Sequence, residues 1–380
     1  MKVGVIGAGM MGSVISWELA RSPDVDSVLV ADLEESRLAG ARSRGGKKVR
    51  TQRLDVIEPA ALRRFFSNGM DVVVSALPHG AVHPADITAM KYGVKLVNVA
   101  FEDEQMGLDG IARKSGSLLI PGAGLAPGLS AILVAEGARQ LDDAAEGHIL
   151  VGGLPRKPEP PLNYRLVFSV KGLIREYLSA RVVRKGKVVN LVPFDVIEHH
   201  RFPKPVGVLE AFYTDGLGPA LYTMRRFSAL DEKTLRWPGH GERIRFLKDS
   251  GFFSEEPVMV GGRAVSPLEF SASVLYKALN VGGPEDLTVM RVDVIGSVDG
   301  ERARVRYETI DRYDQASKVT SMGRTTAFTA AIIARMVGRG ELAGTGVKGP
   351  EAFLDTRAVS TLLGELSEKG VVITRRRKKL

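Results

Sequence analysis

The chain has 380 residues, more than one compact core usually holds, so two domains are expected. Its 44% apolar and 26% charged residues describe a globular protein, and the lack of cysteine excludes disulfides, thiolate zinc sites and a cysteine nucleophile. The net charge is +9, part of it in the tail Arg375-Arg376-Arg377-Lys378-Lys379.

Such a tail can serve nucleic acid or an anionic membrane. The reading adopted is a solvated, frayed end, with neither as a partner. Met1 enters a strand at once and no apolar run approaches the length of a membrane span, so a cytoplasmic location is expected. The six histidines are scattered apart from Glu198-His199-His200, in an apparent loop, and no H-E-x-x-H spacing occurs, so no metal site is expected.

In chain order, Met1-Lys2-Val3-Gly4-Val5-Ile6 reads as a buried strand running into Gly7-Ala8-Gly9-Met10-Met11-Gly12 and then a helix over 13–21. A G-x-G-x-x-G between strand and helix is the context of a dinucleotide site. Gly7 permits the turn, Gly9 lets backbone approach a pyrophosphate, Gly12 lets helix sit on strand, and the helix N-terminus offers free N–H groups. The next strand ends at Asp32, whose carboxylate suits ribose hydroxyls and repels a 2′-phosphate. Leu33, Glu34 and Glu35 follow without a cation, so NAD is favoured over NADP. The same pattern also serves FAD and S-adenosylmethionine, or a fold that binds nothing.

Strands follow at 49–54, 71–77, 94–99 and 118–121, with a helix over 58–66. Six strands separated by helices imply an α/β fold, a Rossmann-type doubly wound parallel sheet with its ligand at the C-terminal strand ends. Leu77-Pro78-His79-Gly80, residues 100–104 and residues 121–128 therefore face the cofactor. After residue 145 the pattern changes to a probable strand over 148–152, a proline-rich linker or lid over 154–161, and a hairpin turning at Lys185-Gly186. A clearer hairpin joins 288–297 to 301–311, with Ala303, Val305 and Tyr307 alternating against Arg302, Arg304 and Arg306. The second domain, 124–319, is expected to be α+β with a mostly antiparallel sheet. A buried helix over 325–337 is expected to bring residues 320–380 back to the nucleotide domain of 1–123.

Several segments resemble the L-lysine 6-dehydrogenase branch of the saccharopine dehydrogenase family over nearly the whole chain. They are Gly122-Ala123-Gly124-Leu125-Ala126-Pro127-Gly128, Val151-Gly152-Gly153-Leu154-Pro155, Thr214-Asp215-Gly216-Leu217, Thr234-Leu235-Arg236-Trp237-Pro238-Gly239-His240 and Thr325-Thr326-Ala327-Phe328. Saccharopine-forming relatives tend to carry aspartate at the position of Ala126, and a W-S-P-R-type segment where this chain has Phe168-Ser169-Val170-Lys171.

The resemblance implies NAD-dependent oxidative deamination at the ε-carbon of L-lysine, with saccharopine-type C–N chemistry as the alternative, and a homodimer. That chemistry needs a base for an ammonium of pKa about 10.4, partners for the α-carboxylate and α-ammonium, and a water. The candidates are His240 or Glu104 as base and Arg236 as carboxylate clamp. Asp215 is placed on the α-ammonium or in its turn, and Tyr164 and Thr234 in the pocket wall. Lys171, Arg175 and Arg225 are the spare cations that a substrate with more carboxylates would require.

Overall fold

Short, largely apolar strands build the middle of the first sheet, because such strands are stable only when covered on both sides, while the edge strand Val49–Arg53 is largely polar and partly exposed. The computed structural model describes residues 1–166, 170–280 and 282–380. Across the sheet the strands run Gly346–Val347, Leu118–Ile120, Lys95–Asn98, Val72–Ser75, Lys2–Ile6, Ser27–Asp32 and Val49–Arg53, all parallel. Strand order reverses between Lys2–Ile6 and Val72–Ser75, which opens the crevice where such sheets bind ligands. Successive side chains feed opposite cores: Val3, Val5, Val72 and Val74 meet one layer of helices, Ile6, Val73, Leu96 and Leu119 the other.

The first layer includes Met10–Arg21 and Ser321–Gly338, whose Trp17 and Phe328 rings stack at 6.3 Å. Ser321–Gly338 starts earlier than the expected 325 because Thr320 Oγ1 caps it, accepting from the Gly323 N–H. It is buried from Ser321 to Val337 apart from Met322, since it lies between the two sheets.

The second sheet is mixed. Asp143–Pro155 runs parallel to Ala229–Arg236 and antiparallel to Asp286–Val298, and every other pairing is antiparallel. Asp286–Val298 and Glu301–Arg312 join through Asp299 and Gly300, whose φ angles of 53° and 77° give the positive-φ pair that a tight hairpin requires. Ala303, Val305 and Tyr307 are buried and the intervening arginines are not. Leu154 and Pro155 finish the long strand rather than beginning a linker, and His199 and His200 lie on the edge strand Glu198–Arg201, not in a loop.

The basic tail is not frayed. Thr374–Lys379 pairs with Glu301–Arg312 from Tyr307↔Arg375 to Ala303↔Lys379, and Leu380 N–H donates to the Arg302 carbonyl. All six of its residues are exposed, which suits an outer strand whose charges discourage further pairing. The chain after residue 320 is thus shared: Gly346–Val347 completes the first sheet and Thr374–Lys379 the second. Among the described residues no helix is long and apolar enough to cross a membrane.

Candidate cofactor and substrate site

The glycine loop is shaped partly by its own backbone and partly around a space. Gly7 has φ 91°, and a Cβ there would lie 2.7 Å from the Ala76 carbonyl oxygen. A Cβ on Gly12 would fall 1.7 Å from the Gly7 carbonyl oxygen, so helix and strand meet only because that atom is missing. A Cβ on Gly9 meets nothing within 4 Å. The protein alone does not require glycine there, and the open space leaves room for a ligand to lie against the backbone. Gly9 is the N-cap of Met10–Arg21 and supplies no side chain, so the first N–H groups stay available to a phosphate. Met10 is exposed and Met11 half-buried beside this opening.

Asp32 fits the same ligand. It is 8% exposed, and its carboxylate accepts from Ala8 N–H at 2.6 Å and Glu34 N–H at 2.9 Å, which fixes it beside the glycine loop. Arg37 stands 3.7 Å away, a cation five residues on that spacing alone did not bring to this carboxylate.

At the far end of the crevice the loops after Val72–Ser75 and Lys95–Asn98 meet. Leu77 is half-buried and Pro78 exposed. Glu102 accepts from Gly80 N–H at 2.5 Å and lies 3.5 Å from His79 Nδ1. Burial and the nearby Arg175 hold the His79 imidazole below its usual pKa, against the pull of Glu102. Glu104, the predicted base, is exposed on the short Asp103–Leu108 turn and reaches none of these groups; Glu102, two positions earlier, crosses to the neighbouring loop. Beneath it, Asp86 accepts from Asn98 at 3.2 Å and Gln105 at 2.6 Å, and burial pushes its carboxyl up to about 7.

Asp103 connects the two sheets. It accepts from Arg181 Nη1 at 2.6 Å and Tyr222 hydroxyl at 2.8 Å, and Arg181 Nε reaches Asp215 at 2.9 Å. Asp215 is therefore occupied by a guanidinium, not left open for a substrate ammonium, and burial raises its pKa despite that partner.

The densest cluster lies on the crevice-facing side of the second sheet. Alternation along Ala229–Arg236 turns Glu232, Thr234 and Arg236 to that side, and Val208–Tyr213 adds Glu210 and Phe212 in register. Arg236, 2% exposed, donates through Nε to Tyr177 hydroxyl at 3.2 Å, through Nη1 to the Leu235 carbonyl at 2.9 Å and through Nη2 to Glu176 at 3.3 Å. Its guanidinium lies 4.7 Å from the centre of the Tyr164 ring, which is buried as core. Thr234 and Thr214 hydroxyls are 2.9 Å apart, and Thr214 donates to Glu232 at 2.7 Å. Burial lifts the Glu176 carboxyl to about 7 and the Glu232 carboxyl to about 8. Glu232 is 2% exposed, whereas Glu176 keeps 34% of its side-chain surface.

His240 does not serve as an accessible base. It is fully buried at the start of His240–Asp249, with Nδ1 2.9 Å from the Leu162 carbonyl and Nε2 2.8 Å from Tyr177 hydroxyl. A carbonyl only accepts, so Nδ1 carries the proton and Nε2 accepts from Tyr177. Burial, then the neighbouring Arg236, push this imidazole down to about 3. Glu210 holds the turn before it, accepting from Gly239 N–H at 2.8 Å and from Gly241 N–H.

The sequence reading named Arg236 as carboxylate clamp, His240 as a base, and Tyr164 and Thr234 as pocket wall, and all four fall in this cluster. It passed over Glu176, Tyr177, Glu210 and Glu232. Glu232 had a signal, an acid on the same alternating face as Leu230 and Thr234. Phe168 and Ser169 lie outside the described residues, as does the side chain of Lys171.

A doubly wound sheet with a glycine loop, followed by a second sheet bearing a buried polar cluster, is the architecture of a nucleotide-dependent enzyme with a separate substrate domain. The saccharopine dehydrogenase NADP binding domain matches residues 3–120, and the saccharopine dehydrogenase C-terminal domain matches residues 124–371. The chain belongs to the saccharopine dehydrogenase family, which points to an oxidoreductase. Apo saccharopine dehydrogenase (L-Glu forming) from Saccharomyces cerevisiae is 18% identical over 99% of both chains with a TM-score of 0.80, so the two share a fold. Looser likenesses are a probable dehydrogenase from Thermotoga maritima, 11% identical over 100% and 98% of the chains, TM-score 0.48. GenD2 from gentamicin A biosynthesis, in complex with NAD, is 13% identical over 100% and 96%, TM-score 0.42.

Proposed function

We propose that this protein is an NAD-dependent dehydrogenase that removes the ε-amine of L-lysine as ammonia and leaves 2-aminoadipate 6-semialdehyde. The observation that carries this reading is the charge balance of the crevice-facing cluster. It sets two carboxyls, Glu176 and Glu232, against one guanidinium, Arg236, already met by Glu176. Above pH 8, where both carboxyls are ionised, such a pocket favours an ammonium over the several carboxylates of a saccharopine-type substrate.

Each role follows from a contact already described. Among the described residues three of the five N–H groups of Arg236 meet protein acceptors, and one further N–H on each of Nη1 and Nη2 grips one α-carboxylate in this reading. Glu176, raised to about 7 and with 34% of its side-chain surface exposed, takes a proton from the ε-ammonium at neutral to alkaline pH. The cofactor, which Gly7, Gly9, Gly12 and Asp32 would hold, would supply the hydride acceptor for the ε-carbon. A water then adds to that carbon and ammonia leaves, so lysine, NAD and water give semialdehyde, ammonium, NADH and one proton. NAD rather than NADP is proposed because a carboxylate, Asp32, stands at the ribose edge.

The test is NADH absorbance with NAD and L-lysine alone. Turnover with lysine and none with ornithine or ε-blocked lysine is expected. Silence with lysine, and oxidation of NADH only when an oxo acid and an amino acid are supplied together, would replace this reading with reductive C–N coupling.

A further inference from the structure

Removing an amine as ammonia takes two proton acceptors. Glu176 is a single carboxyl, and once it holds the proton of the ε-ammonium it cannot take another from the water that follows. The other groups of the cluster are closed to that water. Glu232 and His240 are buried, and Asp215 is held by Arg181. At the far end of the crevice, by contrast, His79 keeps 42% of its side-chain surface exposed.

This imidazole has the surroundings of a base. Burial lowers its pKa, Glu102 pulls the other way and Arg175 adds to the lowering, so the ring is neutral at pH 7. Nδ1 lies 3.5 Å from Glu102 Oε1. A carboxylate only accepts, so Nδ1 carries the ring proton and Nε2 keeps its lone pair. Among the described residues Nε2 has no hydrogen-bond partner.

Glu102 is held more firmly than a surface turn requires. It accepts from Gly80 N–H at 2.5 Å and from Gln105 N–H, while Gln105 Oε1 accepts from Glu102 N–H at 2.8 Å. Gln105 Nε2 donates in turn to Asp86 at 2.6 Å. Asn98 donates to the same carboxyl and accepts from Ala100 N–H at 3.0 Å. Asp86, Asn98 and Gln105 are fully buried. Rigid, buried side chains thus fix the carboxylate that orients the imidazole, which is how acid–base sites are supported.

The location fits as well. The loops after Val72–Ser75 and Lys95–Asn98 stand at the C-terminal strand ends beside the reversal of strand order, where such sheets hold their ligand. Arg175, whose charge reaches the imidazole, is the neighbour of Glu176. Asp103, the neighbour of Glu102, is bound to Arg181 of the second sheet. His79 therefore belongs to the seam between the cofactor's sheet and the substrate cluster.

We propose that His79, oriented by Glu102, is the second acid–base residue of this reaction, taking a proton from the attacking water and giving it to the departing amine. The proposal rests on the amine-oxidising reading above. Loss of hydride leaves an iminium at the ε-carbon. As the water oxygen bonds to that carbon, one water proton passes to His79 Nε2 and the C=N electron pair returns to nitrogen. His79 then protonates the nitrogen. The C–N bond breaks with its electrons going to ammonia, and the hydroxyl proton passes to His79 as the C=O bond forms. Ammonia carries that proton off as ammonium, and the ring is neutral again.

The full chain is tested by rapid mixing with NAD and lysine, reading NADH, followed by a borodeuteride quench. In His79→Ala hydride transfer should continue, so a burst of about one NADH per site should precede a steady rate lowered on the order of 100-fold. The quench should return lysine carrying one deuterium, the reduced iminium, at a level well above wild type. Imidazole in the buffer should raise the variant's steady rate and leave the burst alone. His79→Asn, which keeps an N–H for Glu102 but no base, should behave as the alanine variant does. Glu102→Gln should show the same pattern with a smaller loss. A steady rate equal to wild type, or a burst lost together with the steady rate in both His79 variants, overturns the proposal. If wild type is silent with lysine but forms NADH from saccharopine, the lysine reading fails and the same comparison on that amine decides His79, because its iminium too is cleaved by water. A retained burst there supports the assignment, and a lost one removes it.

Discussion

Arg236 and His240 are linked through one hydroxyl: Tyr177 accepts from Arg236 Nε and donates to His240 Nε2. The chain ends at the Leu162 carbonyl, which can take no proton onward. It is therefore a brace for the guanidinium rather than a proton relay. His240→Ala should lower stability by about 2–4 kcal/mol, through lost packing and an unpartnered Tyr177 hydroxyl, and lower turnover. The position of the acidic limb of the pH–rate profile should stay in place; its disappearance would make His240 the base after all.

Glu176 is the group expected to set that limb. With a carboxyl raised to about 7, activity should fall tenfold per pH unit below that value as the base is protonated. Glu176→Gln should cut kcat by two orders of magnitude or more, roughly the worth of a general base, and remove the limb. A variant with wild-type kcat and pH profile would confine Glu176 to pairing with Arg236.

Glu232 makes a separate prediction about stability. Its carboxyl ordinarily titrates at 4.5 and is raised to about 8 by burial, so the folded protein binds this proton more tightly than the unfolded chain. The stability linked to it is full below pH 4.5 and is lost as pH rises through 8. Glu232→Gln should flatten the decline in Tm between pH 4.5 and pH 8, an effect of order a few kcal/mol. Parallel curves for wild type and variant would show that the carboxyl ionises without penalty.

Two of the loop glycines, Gly9 and Gly12, should separate under substitution. Gly9→Ala adds a methyl where no protein atom lies within 4 Å, so Tm should hold while the dissociation constant for NAD rises at least tenfold. Gly12→Ala places its Cβ 1.7 Å from the Gly7 carbonyl oxygen and should lower Tm by several degrees with cofactor absent. Calorimetry of the apo protein decides; equal destabilisation by both would mean that Gly9 too is held by the fold.

Asp32→Ala should weaken NAD and narrow the preference over NADP, helped by Arg37 at 3.7 Å once the carboxylate is gone. Unchanged Michaelis constants for both cofactors would remove Asp32 from the ribose.

The glycine loop and the Glu301–Arg312 strand were legible because their signals are local: a fixed spacing in one, a period of two in the other. Arg236 was reachable from its motif. Glu176 and Tyr177 were not, because nothing within a window around residue 176 shows that sheet register will bring residue 236 against it. Glu102 and Glu104 differ by two positions in an irregular turn, and only the position of the neighbouring His79-Gly80 loop decides between them. His240 looked exposed after Pro238-Gly239, yet Glu210 folds that turn inward by accepting from Gly239 and Gly241.

The strand Gly346–Val347 covers Leu118–Ile120, all three residues of which are buried. In an emerging chain, more than 200 residues separate the edge from its cover. Until that cover arrives, Leu118-Leu119-Ile120 is an unpaired apolar border with open backbone groups, the kind that recruits strands from other molecules. All strands of the second sheet but Thr374–Lys379 are synthesised during the same interval, so the protein's exposure to misassembly is set by the order of its strands and falls late in synthesis.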